Sequence, residues 1–156
     1  MPEEEGIVIA VASVYGHTQA VADKLAVLLS EKGLSNVRVY DVSKTHPSDL
    51  LSEVFRVGCI VLAASTYNTG VLASMETFLN EIKSHAVAHK TFAFIENGSW
   101  APTAKNYMLD ILSGLKETVF LEKTLTIKSA FKQEQQADLE ALADSLVQAV
   151  KEKNVD

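Results

Sequence analysis

The chain alternates five times between a short apolar run rich in β-branched residues and a segment whose apolar positions recur at helical spacing. The runs are IVIAVA (7–12), VRVYDV (37–42), CIVLAAS (59–65), TFAFIE (91–96) and VFLEKTLTI (119–127). The central ones are almost continuously apolar, as a strand covered by helices on both faces requires. Between them, residues 18–32 place Val21, Ala22, Leu25, Leu28 and Leu29 on one side and stop at Gly33. Residues 47–56 start with Pro47 and carry Leu50, Leu51 and Val54, while residues 74–85 space Met75, Phe78, Leu79 and Ile82 at i, i+3, i+4, i+7. Residues 102–115 open with Pro102, suited to a first helical turn, and carry Ala104, Met108, Ile111, Leu112 and Leu115. Residues 133–151 carry Leu139, Leu142, Leu146 and Val150. Strict β-α order predicts one parallel sheet with right-handed crossovers and helices on both faces. Five strands in 156 residues fit a three-layer α/β/α sandwich with a five-stranded parallel sheet of order 2-1-3-4-5. The expectation is a single domain over residues 1–156, with its core at about 6–150.

In such a sheet, ligands bind outside the carboxyl ends of the strands where the strand order reverses, here between strands one and three. The loops that follow strands one, three and four read SVYGHT (13–18), STYNTG (65–70) and NGSWAP (97–102). The first has no lysine for a P-loop and only Gly16 where a dinucleotide fold needs three glycines. Asp41, at the end of strand two, is a weak ribose ligand without those glycines. A two-component receiver needs carboxylates where Ser13 and Ser65 stand, and a phosphatase of this shape needs a cysteine and an arginine in the first loop. What remains is a loop of hydroxyls and backbone N–H groups running into a helix, which attracts an anion without any cationic side chain. Ser13 and Thr18 add donors and Gly16 lets the backbone curl. Taken alone, the loop reads equally as a phosphate cradle and as an ordinary connection in which Thr18 caps the helix. Tyr67 and Trp100 lie in the other two loops, on opposite sides of the crevice, where two aromatics can sandwich a flat ring.

A net charge of −6 disfavours nucleic acid and anionic membranes as partners and allows docking to basic proteins. The single cysteine, Cys59, lies in an apolar run and reads as a buried structural thiol. His17 reads as a solvent-facing loop residue. With His46, His85 and His89 it forms no metal-ligand spacing, so no metal site and no catalytic residue is expected. No apolar stretch approaches the roughly 20 residues of a membrane span, and MPEEEG is unlike a signal peptide. A cytoplasmic protein is the simplest expectation.

At these loops the sequence resembles a flavodoxin-like FMN domain, and more narrowly the flavodoxin domain at the C-terminal end of flavodiiron proteins (A-type flavoproteins). That family's loops read roughly S-x-Y-G-N-T, P-T-Y-N and G-S-Y-G-W, against SVYGHT, STYN and ENGSW here. His17 replaces the asparagine, Ser65 the proline, and the third loop keeps its tryptophan while changing what precedes it. The resemblance implies FMN as cofactor. Ser13, Val14, Tyr15, Gly16, His17 and Thr18 would hold its phosphate. Ser65, Thr66, Tyr67, Asn68, Thr69 and Gly70 would wrap one edge of the isoalloxazine, and Asn97, Gly98, Ser99 and Trp100 would cover the other side. A backbone carbonyl near 68–70 would accept from the flavin N5–H in the semiquinone, with Gly70 easing a peptide flip. The family's diiron chemistry belongs to a separate domain.

The function so implied is an FMN-binding electron-transfer module, a flavoprotein shuttling single electrons through the semiquinone between redox partner proteins. It would be a short-chain flavodoxin or the flavodoxin domain of a larger flavoprotein, a carrier more than a stand-alone catalyst. The continuous run 119–127 leaves no room for the insertion of long-chain flavodoxins. The alternatives are an FMN-dependent NAD(P)H or quinone reductase, an oxidoreductase in its own right, and a cofactor-free interaction domain that kept the fold.

Overall fold

The computed structural model describes residues 5–13, 16–66, 70–98, 103–128 and 131–155. Among these residues, six parallel strands, β1 (Ile7–Ala12), β2 (Val37–Asp41), β3 (Cys59–Ser65), β4 (Thr91–Asn97), β5 (Val119–Phe120) and β6 (Leu125–Ile127), form one sheet. The order is β2-β1-β3-β4-β5, and β6 pairs β4 further along the position that β5 begins. Among the described residues, five α-helices pack on it: α1 (His17–Glu31), α2 (Pro47–Arg56), α3 (Ala73–Ser84), α4 (Ala104–Leu112) and α5 (Gln136–Val155). This is the three-layer α/β/α sandwich that the alternation predicts.

Strand alternation divides the core in two. Val8, Ala10, Ile60, Leu62, Phe92 and Phe94 point to the α2, α3 and α4 face, where they meet Leu50, Val54, Phe78, Leu79 and Met108. Ile7, Ile9, Val61, Ala93 and Ile95 point to the other face and meet Leu25 and Leu29 of α1 and Leu142 and Leu146 of α5. Every residue of β1 is buried, whereas β2, at the edge, is mostly half-buried. Cys59 is buried, as the apolar run around it predicts.

Local signals set most element ends. Gly33, at φ +102, stops α1, and the N–H of Leu34 reaches back to the carbonyl of Leu29 at 3.2 Å, a closure that favours glycine. Pro47 opens α2. Helix α4 starts at Ala104 and ends at Leu112, shorter than the 102–115 pattern, and Pro102 lies outside the described residues. Residues 133–135 form a 3₁₀ turn before α5 begins at Gln136.

The fifth strand is not the continuous 119–127 run that the sequence suggests. Phe120 pairs with Phe92 and Leu125 with Ile95, so the chain advances five residues while β4 advances three. Two extra residues bulge out around Glu122 and Lys123, a polar pair that gains by leaving the ladder. Lys123 Nζ reaches Asp138 Oδ1 on α5 at 3.1 Å.

Candidate functional site at the carboxyl ends of β1, β3 and β4

The crevice at the reversal of strand order is built from α1 upward. Gly16 is its N-cap, at φ +82 and ψ −7, and among the described residues no side chain caps the helix. Thr18 therefore does not cap it. No acidic residue stands in the first turn, so the orphan N–H groups and the positive end of the helix dipole meet no carboxylate from their own element. Gly16 is there for its backbone: a Cβ would meet nothing within 4 Å, but the left-handed φ strains any other residue. The Ser13 hydroxyl oxygen accepts the Gly16 N–H at 3.1 Å, which fixes the turn and leaves the hydroxyl proton to donate elsewhere. His17 is exposed at the first helical position.

Thr18 is fully buried, and its hydroxyl lies 3.0 Å from that of Ser65. That hydrogen bond ties the first turn of α1 to the end of β3, at the point where the strand order reverses. The second and third loops are joined by backbone, since the Thr66 N–H donates to the Asn97 carbonyl at 2.7 Å. The Gly98 N–H donates to the Ile127 carbonyl at 3.1 Å, which carries the third loop onto β6. Gly70 does not have a left-handed φ. Its missing side chain admits the ring of Tyr107, which would sit 3.2 Å from an added Cβ. The Glu76 carboxylate, hydrogen-bonded to the Tyr107 phenol, raises the phenol pKa.

Of the residues singled out in the sequence, Ser13, Gly16, His17, Thr18, Ser65, Thr66, Asn97 and Gly98 lie at or just beyond the carboxyl ends of β1, β3 and β4, where hydrogen bonds join Ser13 to Gly16, Thr18 to Ser65 and Thr66 to Asn97, while Gly70 packs against Tyr107. Val14, Tyr15, Tyr67, Asn68, Thr69, Ser99 and Trp100 lie outside the described residues.

The sequence did not single out Glu96 or the second role of Thr66. Thr66 Oγ1 accepts the N–H groups of Thr103 at 3.1 Å and Ala104 at 3.3 Å, and Glu96 Oε1 accepts that of Lys105 at 3.2 Å. Three successive donors at the start of α4 are therefore satisfied by side chains from the second loop and the end of β4. The N-cap residue, Thr103, contributes no side-chain cap. The one available signal was an acid closing an otherwise apolar strand, TFAFIEN.

An open parallel sheet of order β2-β1-β3-β4-β5 with helices on both faces, and a helix start with no acid in its first turn at the switch point, defines a class: a doubly wound α/β domain. The chain belongs to the flavodoxin domain family, whose model matches residues 8–143. No curated protein matches it. Among solved structures it is similar to rubredoxin oxygen:oxidoreductase from the anaerobe Desulfovibrio gigas, with TM-score 0.91, 20% identity, and coverage of 99% of this chain and 38% of that one. It is similar to the flavodiiron protein from Giardia intestinalis, with TM-score 0.83 and 20% identity over 97% of this chain and 38% of that one. Flavodoxin 1 from Bacillus cereus matches at TM-score 0.78 and 19% identity, over 92% of this chain and 97% of that one. The chain spans about two fifths of the length of the first two proteins. Among the described residues, no helix is long and apolar enough to cross a membrane, and no group of His, Cys, Asp and Glu could hold a metal ion.

Proposed function

We propose that the chain is an FMN-binding electron-transfer module, a short-chain flavodoxin or the flavodoxin domain of a larger flavoprotein, that passes electrons one at a time between redox partner proteins in the cytoplasm. The observation that carries this reading is the start of α1. A left-handed glycine opens it, among the described residues no side chain caps it, no acid stands in its first turn, the Ser13 hydroxyl accepts the Gly16 N–H, and the Thr18 hydroxyl of α1 meets that of Ser65 at the end of β3.

The residues present fit the cofactor. A monoester phosphate is bound well by oriented backbone N–H groups and hydroxyls at a helix N-terminus, and a carboxylate there would oppose it. Ser13 and the N–H groups of His17 and Thr18 would hold the phosphate. The loops at 65–70 and 97–100 would flank the ring and exclude water from it. FMN, when bound, supplies the redox chemistry, and the protein sets where it lies and what surrounds it. The acceptor and donor proteins must then approach the rim formed by these loops.

A reductive titration of the FMN-loaded protein tests the reading. Two resolved one-electron steps, and oxidation by a one-electron acceptor such as a c-type cytochrome, are expected. Reduction in a single two-electron step, with rapid turnover of NADPH against a quinone, would instead identify a reductase.

A further inference from the structure

Two charged side chains are buried among the described residues: Lys90 at the start of β4 and Glu96 near its end. Lys90 is occupied at the far edge of the sheet, where its ammonium donates to the carbonyls of Phe55 and Val57 at the end of α2. Glu96 is at the functional edge. Its two oxygens have different partners. Oε1 accepts the Lys105 N–H in the first turn of α4, and Oε2 accepts the Thr126 hydroxyl on β6 at 2.9 Å. Both oxygens act as acceptors, as an ionised carboxylate requires.

That arrangement spans the third loop. The loop leaves β4 one residue after Glu96 and returns at the start of α4, so the carboxylate joins its exit, its return and the neighbouring strand. A carboxylate is expensive to bury, and a neutral side chain could have capped α4 alone. What a charge adds is a fixed negative field in a place that salt screens poorly.

We propose that Glu96 is a positioning residue of the FMN site, one that also sets its potential. Its carboxylate fastens the third loop between α4 and β6, and its charge opposes the gain of negative charge by the ring. This rests on the FMN reading above.

The test uses wild type, Glu96→Gln and Thr126→Val, each loaded with FMN. The readouts are FMN affinity by flavin fluorescence, thermal unfolding of the flavin-free protein, and the potential of the second one-electron reduction at low and high salt. Glu96→Gln keeps the shape and removes the charge. It is expected to retain FMN to within about tenfold and to raise that potential at both salt concentrations. Thr126→Val keeps the charge and removes one of its donors, so it is expected to move the potential the opposite way. An unchanged potential in Glu96→Gln, or a shift of the same sign in both variants, overturns the proposal while leaving the FMN reading intact. Should Glu96→Gln fail to fold, a raised or unchanged potential in Thr126→Val overturns it as well. Wild type that does not retain FMN overturns the FMN reading, and this inference with it.

Discussion

Gly16 holds the turn from β1 into α1, and replacing it with alanine isolates the backbone's part in the site. At φ +82 an L-residue with a Cβ is strained by about 1–2 kcal/mol, while alanine recovers about 0.4–1 kcal/mol by restricting the unfolded chain. The space around the new methyl is empty, so no clash adds to this. The net loss is about 1 kcal/mol. With an unfolding entropy of about 2.1 cal/mol/K per residue over 156 residues, the melting temperature should fall by about 3 °C. Gly16→Asn is the control, because asparagine tolerates the left-handed region, and it should recover much of the loss. The assay is thermal unfolding of the flavin-free protein by circular dichroism, paired with FMN titration. Both variants should also weaken FMN binding, alanine more than asparagine, since the turn aims the N–H groups of α1. A Gly16→Ala protein that melts with wild type and binds FMN equally well would refute this account of the turn.

Cys59 should be inert to a thiol reagent in the native protein and react once per chain on unfolding, because it is only 1% exposed; fast reaction of the native protein would contradict its burial. Lys90→Met leaves the carbonyls of Phe55 and Val57 without their buried donor and should destabilise by about 2 kcal/mol, read as a denaturant midpoint shift; an unchanged midpoint would remove Lys90 as the clamp on α2. Glu53 has its carboxyl pKa lowered, first by the Arg56 guanidinium that hydrogen-bonds it, and also by the Tyr40 hydroxyl, against the opposing effect of burial. A depressed folded value means its stabilisation is complete above the unfolded carboxylate pKa of about 4.3 and is lost as the pH falls through the folded value. Glu53→Gln should therefore destabilise at neutral pH and flatten the acid limb of stability against pH; parallel curves for variant and wild type would show that Glu53 is not the group responsible.

The parts of the fold that were readable in the sequence are those where one local cause dominates. Strands β1, β3 and β4 are covered on both faces, so their apolar runs are nearly unbroken. Gly33 and Pro47 end and begin helices by backbone chemistry alone. The break between β5 and β6 was hidden for a specific reason. Two extra residues preserve the period-2 phase, so Leu121, Leu125 and Ile127 all still face α1 and α5, and the run looks continuous. The site divides in the same way. The turn at Gly16 and the hydroxyls beside it follow from composition and position after β1. The capping of α4 by Thr66 and Glu96 joins residues 37 and 9 positions apart, and nothing local marks it, since Thr103 alone has the look of an adequate cap.

The central claim is that these loops hold FMN. The most direct measurement is the visible spectrum of the purified protein after addition of FMN and removal of the excess by gel filtration. The account predicts about one flavin retained per chain, with bands perturbed from free FMN, and loss of that flavin when the α1 turn is disrupted. A well-folded, colourless protein that passes through FMN unchanged would contradict it.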